Sequence, residues 1–264
     1  MLGAIVFVVA GAAVPIMTSI NLDDVRADLA QAPGDRSDYR CVEPIDLFTG
    51  PDGAELSTQA APGRQLWFRQ WVADGEAIEV VLCEDDYPAW LLVQDLPKLA
   101  PAIAPYVAPI VSRDQIEQRI PGAIAFAEAA LAVPNRYLWG GTIAPDYDCS
   151  GLTQAAFMSV GVWLPRNSYQ QRDFTQPIAQ SELQPGDLLF FGTPQKINHV
   201  ALYLGRDGWG DRYLHSSGYE QGRGRMAIDY LSDEGDRVAQ AYFSQYQGAG
   251  RIMESYQPTL KQTS

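Results

Sequence analysis

Four prolines, Pro97, Pro101, Pro105 and Pro109, recur at four-residue steps through an otherwise apolar stretch. Neither a helix interior nor a central strand tolerates that pattern, because each proline removes a backbone donor and fixes φ at about −65°. The stretch is therefore a stiff connector, and it divides the chain into halves of different character. Ahead of it, short β-type runs alternate with turns: Tyr39–Val42, Leu47–Phe48, the turn Gly50–Gly53, Gln65–Phe68, Ile78–Leu82 and Trp90–Val93. Such a succession of short strands predicts a small all-β barrel. Behind the connector, helical patterns come first and strands follow, which predicts an α+β unit with an antiparallel sheet.

Composition narrows the function classes. The 264 residues, 47% hydrophobic, can bury one large core or two modest ones. A formal charge of −13 opposes any electrostatic grip on nucleic acid or an anionic membrane surface. The three cysteines, Cys41, Cys83 and Cys149, are too few and too scattered for a disulfide scaffold or a metal knuckle. Either Cys41 and Cys83 pair, or both are small buried apolar residues. Leu2 to Ile20 carries no charge, and the first basic residue is Arg26. The stretch reads as a signal or membrane anchor, which would place the protein in the cell envelope, or as an untranslated extension if synthesis starts at Met17, which would leave it cytoplasmic. Membrane contact is expected only if residues 2–20 are an anchor, and no sequence feature sets an oligomeric state.

In the second half, Ser112 and Gln115 form a capping box opening a helix that Pro121 is expected to break, with a second helix from Gly122 to Val133 burying Ile124, Ala127 and Leu131. Tyr137-Leu138-Trp139-Gly140-Gly141 is a Gly-rich turn, and Asp148-Cys149-Ser150-Gly151 starts a helix with Leu152, Ala155, Ala156 and Val160 on one face. Leu188–Phe191 reads as a buried strand after the Gln184–Asp187 turn. Asn198–Gly205 alternates, with Val200, Leu202 and Leu204 on one face and His199 on the other. Arg212–Ser216 and Val238–Phe243 are expected as further strands, the latter closing the sheet, and the tail past Tyr256 is expected to be loose.

A cysteine in the first turn of a helix meets unpaired N–H groups and the positive end of the macrodipole, which favours thiolate. The chain has only two histidines, His199 and His215, on adjacent expected strands. A thiol nucleophile needs a base, and the base a polar group that orients it. Cys149, His199 and His215 supply that set in order. A Cys-His-His zinc site is the competing arrangement, although the spacings match no short metal motif.

The ordered set Tyr137–Gly141, Asp148–Leu152, Pro185–Leu188, Asn198–Gly205 and His215-Ser216 resembles the NlpC/P60 family of papain-like cysteine peptidases. The segment Glu84–Leu91 resembles a bacterial SH3-like domain, and the pairing of the two is similar to the γ-D-glutamyl-L-diamino acid endopeptidases. The resemblance implies an SH3-like barrel at 37–97, a connector at 98–111, a papain-like catalytic domain at 112–258 and a tail at 259–264, after an N-terminal segment and linker at 1–36. It implies hydrolysis of the bond between D-Glu and diaminopimelate or lysine in muropeptides, peptidoglycan stem peptides with a free N-terminal L-Ala, without cofactor or metal. Carried over residue by residue, Cys149 is the nucleophile, His199 the base, His215 the third member and Tyr137 an oxyanion donor. Asp148 would hold the substrate amine or cap its helix, Ser150 and Ser168 would bind the Ala-Glu portion, and Tyr87 would close the pocket. One more barrel acid is implied, Asp52, Asp85 or Asp86. The insert Arg206–Arg212 is expected to lengthen a loop between the histidine strands. A catalytically silent peptide-binding module, and an amidase or acyltransferase on the same fold, are the alternatives.

Overall fold

The computed structural model describes residues 19–72, 75–220 and 222–259. The apolar stretch 2–20 falls almost wholly outside them. No helix among the described residues is long and apolar enough to cross a membrane.

A short helix, α1 (Leu22–Leu29), is opened by an Asn21–Asp24 capping box and buries Val25. The first sheet follows, from β1 (Tyr39–Cys41), β2 (Ile45–Phe48), β3 (Leu56–Ala60), β4 (Gln65–Trp71), β5 (Ala77–Leu82), β6 (Tyr87–Leu92) and β7 (Leu99–Pro101), in the order β3-β2-β6-β5-β4-β1-β7. Its interior is apolar and fully enclosed around Ile45, Leu47, Leu66, Phe68, Ile78 and Leu91. Trp90 is only half-buried, because its face of β6 lies outside that core. Leu99–Pro101, at the start of the proline stretch, pairs with β1. That position is an edge of the sheet, where a proline costs no ladder bond. Cys41 and Cys83 are separate buried thiols; burial pushes the Cys41 thiol up to about 12.

The second half opens with α2 (Arg113–Leu131) behind the expected Ser112–Gln115 capping box. Pro121 does not break it. Ile116, Ile120, Ala123 and Ala127 form one buried stripe across the proline, so packing on both sides outweighs one lost backbone bond. Ile124 and Leu131 only flank that core. After a two-stranded ribbon, β8 (Thr142–Ile143) and β9 (Asp146–Tyr147), come α3 (Cys149–Met158) and α4 (Ser168–Phe174). The second sheet comprises β10 (Gln176–Ile178), β11 (Leu188–Thr193), β12 (Lys196–Asp207), β13 (Gly210–Ser217), β14 (Arg225–Tyr230) and β15 (Tyr246–Arg251), in the order β10-β15-β11-β12-β13-β14, all antiparallel. The α+β arrangement behind a small β-barrel is the one expected.

Two differences bear on the site. Val238–Phe243 is not a strand but the body of α5 (Arg237–Ser244), whose N-cap Asp236 accepts from the Val238 and Ala239 amides. Capping fixes the start, and the buried pair Ala239 and Tyr242 has helical, not alternating, spacing; the closing strand is β15. The insert Arg206–Arg212 prolongs the β12–β13 hairpin, pairing Arg206 with Asp211 and Asp207 with Gly210, rather than forming a loose loop. Residues 256–259 are also tied down, since the Tyr256 hydroxyl and the Thr259 amide both donate to Asp86 of the barrel.

Candidate active site

The start of α3 is fixed by close backbone contact. A Cβ at Gly151 would lie 2.1 Å from the Gly141 carbonyl oxygen, so only glycine lets the helix approach the Gly140-Gly141 turn. A Cβ at Gly140, at φ +79°, would lie 2.8 Å from the carbonyl oxygen of Leu56 in the barrel. Asp148 is the N-cap: its Oδ1 accepts from the Gly151 amide at 2.6 Å and its Oδ2 from the Gly140 amide at 3.0 Å. Arg166 completes its shell with a fork, donating to Oδ2 at 2.6 Å and Oδ1 at 3.1 Å. The same guanidinium donates to Ser150 Oγ at 3.0 Å and to Thr58 Oγ1 of the barrel at 2.8 Å. Asp148 and Ser150 are therefore both buried and committed to internal partners.

Every residue of α3 from Cys149 to Phe157 is buried, and the Val200 amide donates to the Cys149 sulfur. Burial, reinforced by Asp148, pushes the thiol up to about 12 against the pull of that amide and of Arg166. The thiolate expected from the helix start is not the resting form. Desolvation of the charged sulfur outweighs the partial charge of one helix end.

His199, one residue before Val200, lies on the face opposite Val200 and Leu202, as the alternation predicts. Its Nε2 meets His215 Nδ1 at 2.8 Å, and His215 Nε2 meets Asp229 Oδ2 at 2.9 Å. His215 thus spends both ring nitrogens on protein partners, which removes the basis for a zinc site shared with Cys149. Burial, with His215 beside it, keeps His199 well below the ordinary imidazole range, so it is a neutral base at pH 7. The Tyr242 ring covers both imidazoles, with centroids 4.6 Å from His199 and 4.9 Å from His215.

Cys149 opens on a cleft of roughly 430 Å³ between the two halves of the chain. Tyr87, Ser57 and Glu55 form its barrel wall, and Tyr137, Trp139, Ser168, Tyr169 and Lys196 line the rest. The Tyr87 hydroxyl is 2.9 Å from Ser57 Oγ. Burial, with Cys149 and Asp148 nearby, raises Tyr137 far above the ordinary phenol range, so its O–H remains a donor. Side chains also lock the halves together: Thr142 and Ile143 amides donate to Gln59 Oε1, and Gln154 Nε2 donates to Asp85 Oδ2 at 2.8 Å.

Six of the eight residues expected at the site, Tyr87, Tyr137, Asp148, Cys149, Ser150 and Ser168, line this cleft, while His199 and His215 pair with each other on β12 and β13; the acids differ from expectation. Asp85 is consumed by Arg64 and Gln154, Asp86 faces Tyr256 and Thr259, and Asp52 accepts from the Ala54 amide in its own turn. The barrel acid at the cleft is Glu55, one residue ahead of β3. Strand β3 carries no hydrophobic alternation in Leu56-Ser57-Thr58-Gln59-Ala60, so nothing in the sequence singled Glu55 out. Arg166, Asp229 and Tyr242 were equally unmarked, because their partners lie 14 to 43 residues away along the chain.

Residues 134–244 match the NlpC/P60 family, and residues 47–96 match a bacterial dipeptidyl-peptidase SH3 domain. The chain is 39% identical over 103 residues to the "Probable endopeptidase p60" of Listeria seeligeri, covering 36% of this chain and 20% of that one. It is 42% identical over 96 residues to a "Probable endopeptidase" of Mycobacterium bovis, covering 36% and 23%. The chain thus spans about a fifth of the length of these curated relatives. Among solved structures, an NlpC/P60 family protein of Bacillus cereus is 24% identical with a TM-score of 0.42, over 82% of this chain and 64% of that one. Both matched segments contribute walls to the cleft that holds the cysteine, and the chain carries an NlpC/P60 family domain preceded by a bacterial SH3 domain.

Proposed function

We propose that this chain is a cysteine endopeptidase that cuts the γ-D-Glu–diamino acid bond of cell-wall stem peptides bearing a free N-terminal L-Ala. The observation that carries the reading is the shared cleft: the Cys149 thiol on one wall, and a carboxylate, a phenol and a hydroxyl of the barrel, Glu55, Tyr87 and Ser57, on the other. The family match spans Cys149, His199 and His215, and relatives named as endopeptidases accompany it.

In this reading His199 takes the Cys149 proton as sulfur attacks the γ-carbonyl carbon of D-Glu. The resting pair is neutral, so proton transfer accompanies attack instead of preceding it. The Tyr137 O–H and the Cys149 amide at the helix start donate to the oxyanion. Collapse breaks the C–N bond, and His199 returns the proton to the leaving amine of the diamino acid. A water, deprotonated by His199, then hydrolyses the thioester, releasing a γ-carboxylate and restoring the thiol. Because Asp148 is already neutralised by Arg166, recognition of the L-Ala amine falls to Glu55, with Asp148 holding the helix start. Ser168 and the barrel residues Tyr87 and Ser57 contact the Ala-Glu portion.

L-Ala-γ-D-Glu-diaminopimelate is the decisive substrate. Mass spectrometry is expected to find L-Ala-D-Glu and free diaminopimelate with wild type and neither with Cys149→Ala. N-acetylation of the L-Ala should block cleavage. Equal rates on acetylated and free peptide would overturn the amine selectivity, and cleavage at another bond would overturn the assignment.

A further inference from the structure

Beyond His215 the hydrogen-bonded chain continues through side chains that the proposed reaction does not itself require. Asp229 Oδ2 accepts from His215, and Arg223 forks onto Asp229, its Nε donating to Oδ2 at 3.1 Å and its Nη2 to Oδ1. The same guanidinium holds Asp236, the N-cap of α5, and α5 carries the Tyr242 ring that covers both imidazoles. Asp229 and His215 are both buried.

We propose that Asp229, held by Arg223, is a positioning residue that decides which ring nitrogen of His199 is basic. This deepens the reading of Cys149 and His199 as nucleophile and base, and rests on it. A neutral imidazole carries one N–H and one lone pair. An ionised carboxylate only accepts, so the His215 proton sits on Nε2, facing Asp229. His215 Nδ1 is then an acceptor, and the 2.8 Å contact requires the N–H of His199 to be on Nε2. The lone pair of His199 is left on Nδ1, the nitrogen not engaged by His215, ready to take the thiol proton. Reversing the first link reverses all of them. Burial opposes ionisation of Asp229, but hydrogen bonds from His215 and Arg223 prevail and bring its carboxyl down to about 2, so the acceptor persists across physiological pH.

Asp229→Asn tests the chain of donors. Arg223 has only donors, and with the amide oxygen held under its closer contact, Nη2, the amide NH₂ turns toward His215. His215 must then carry its proton on Nδ1, and His199 must carry its own on Nδ1 as well. With L-Ala-γ-D-Glu-diaminopimelate, kcat is expected to fall about 10²- to 10⁴-fold while KM stays within about threefold, by analogy with the tautomer error of a serine protease triad. The iodoacetamide rate of Cys149 near neutral pH should fall in parallel. Because the chain has only two histidines, ¹⁵N–¹H correlation spectra report both tautomers directly. Wild type should show Nε2–H on both rings and Asp229→Asn should show Nδ1–H. Wild-type Nδ1–H on His199, or a variant within about threefold of wild-type kcat, overturns the proposal. If the variant fails to fold, the wild-type spectrum alone decides. If wild type leaves the tripeptide intact, the substrate assignment falls while the spectra and alkylation rates still test the relay.

Discussion

The molecule contains two buried arginines that do similar electrostatic work in different places. Arg64, in the barrel, pairs with Glu84 at 3.1 Å and Asp85 at 2.8 Å, and lies over the Trp163 ring at 4.9 Å. Arg166, in the second half, pairs with Asp148 and reaches back to Thr58. Each links the two halves, one through Asp85 to Gln154 of α3, the other from α3's N-cap to β3. The Arg64 cluster sits behind α3, away from the cleft, whereas the Arg166 cluster lies in the cleft wall beside Cys149. Buried ion pairs contribute little net stability, yet breaking one by removing a partner leaves a desolvated charge. What distinguishes these two is what their rigidity holds in place.

The largest expected effect separates them. Arg166→Met leaves the Asp148 carboxylate buried without its cation, so it should cost about 3–5 kcal/mol of stability and, in the protein that remains folded, at least about 100-fold in kcat/KM. Arg64→Met should cost a comparable 3–5 kcal/mol but leave kcat/KM of the folded fraction within about threefold. Thermal unfolding and peptide kinetics on the pair would break the comparison if Arg64→Met lost activity as deeply as Arg166→Met.

A smaller effect tests the division of labour within the cleft. If Asp148 is spent on Arg166 and Glu55 reads the amine, Glu55→Gln should raise KM for the free tripeptide about tenfold with kcat little changed, equivalent to about 1.4 kcal/mol. An unchanged KM would return the amine to Asp148.

The smallest effect is in pH. His199 is neutral in the fold, while its unfolded counterpart takes a proton at about pH 6.5, so the unfolded state binds more protons below that point. Stability should therefore decline as pH falls below about 6.5, by at most about 1.4 kcal/mol per pH unit from this group. Burial raises Glu84 in the Arg64 cluster, so that group contributes the opposite sign, favouring the fold as pH falls toward its unfolded value. His199→Ala should flatten the acid slope of the melting temperature; an unaltered slope would assign it elsewhere.

Local chemistry was enough to read the barrel, the helix that begins at Cys149 and the strand that turns His199 away from the apolar face. Alternation, capping boxes and proline spacing act over a few residues and survive in sequence. Several features needed the tertiary structure. Helix α2 runs through Pro121 because its buried stripe is packed on both sides. Residues 238–243 coil instead of extending because Asp236 caps them and Tyr242 lands on two imidazoles contributed by other strands. Asp148 is withdrawn from solvent by an arginine 18 residues away, Glu55 comes to the cleft through a strand without a sequence signature, and Cys149 rests as a thiol. Desolvation and charge pairing depend on what else is nearby in space, so the sequence determined which groups could react, and only folding decided their protonation and their partners.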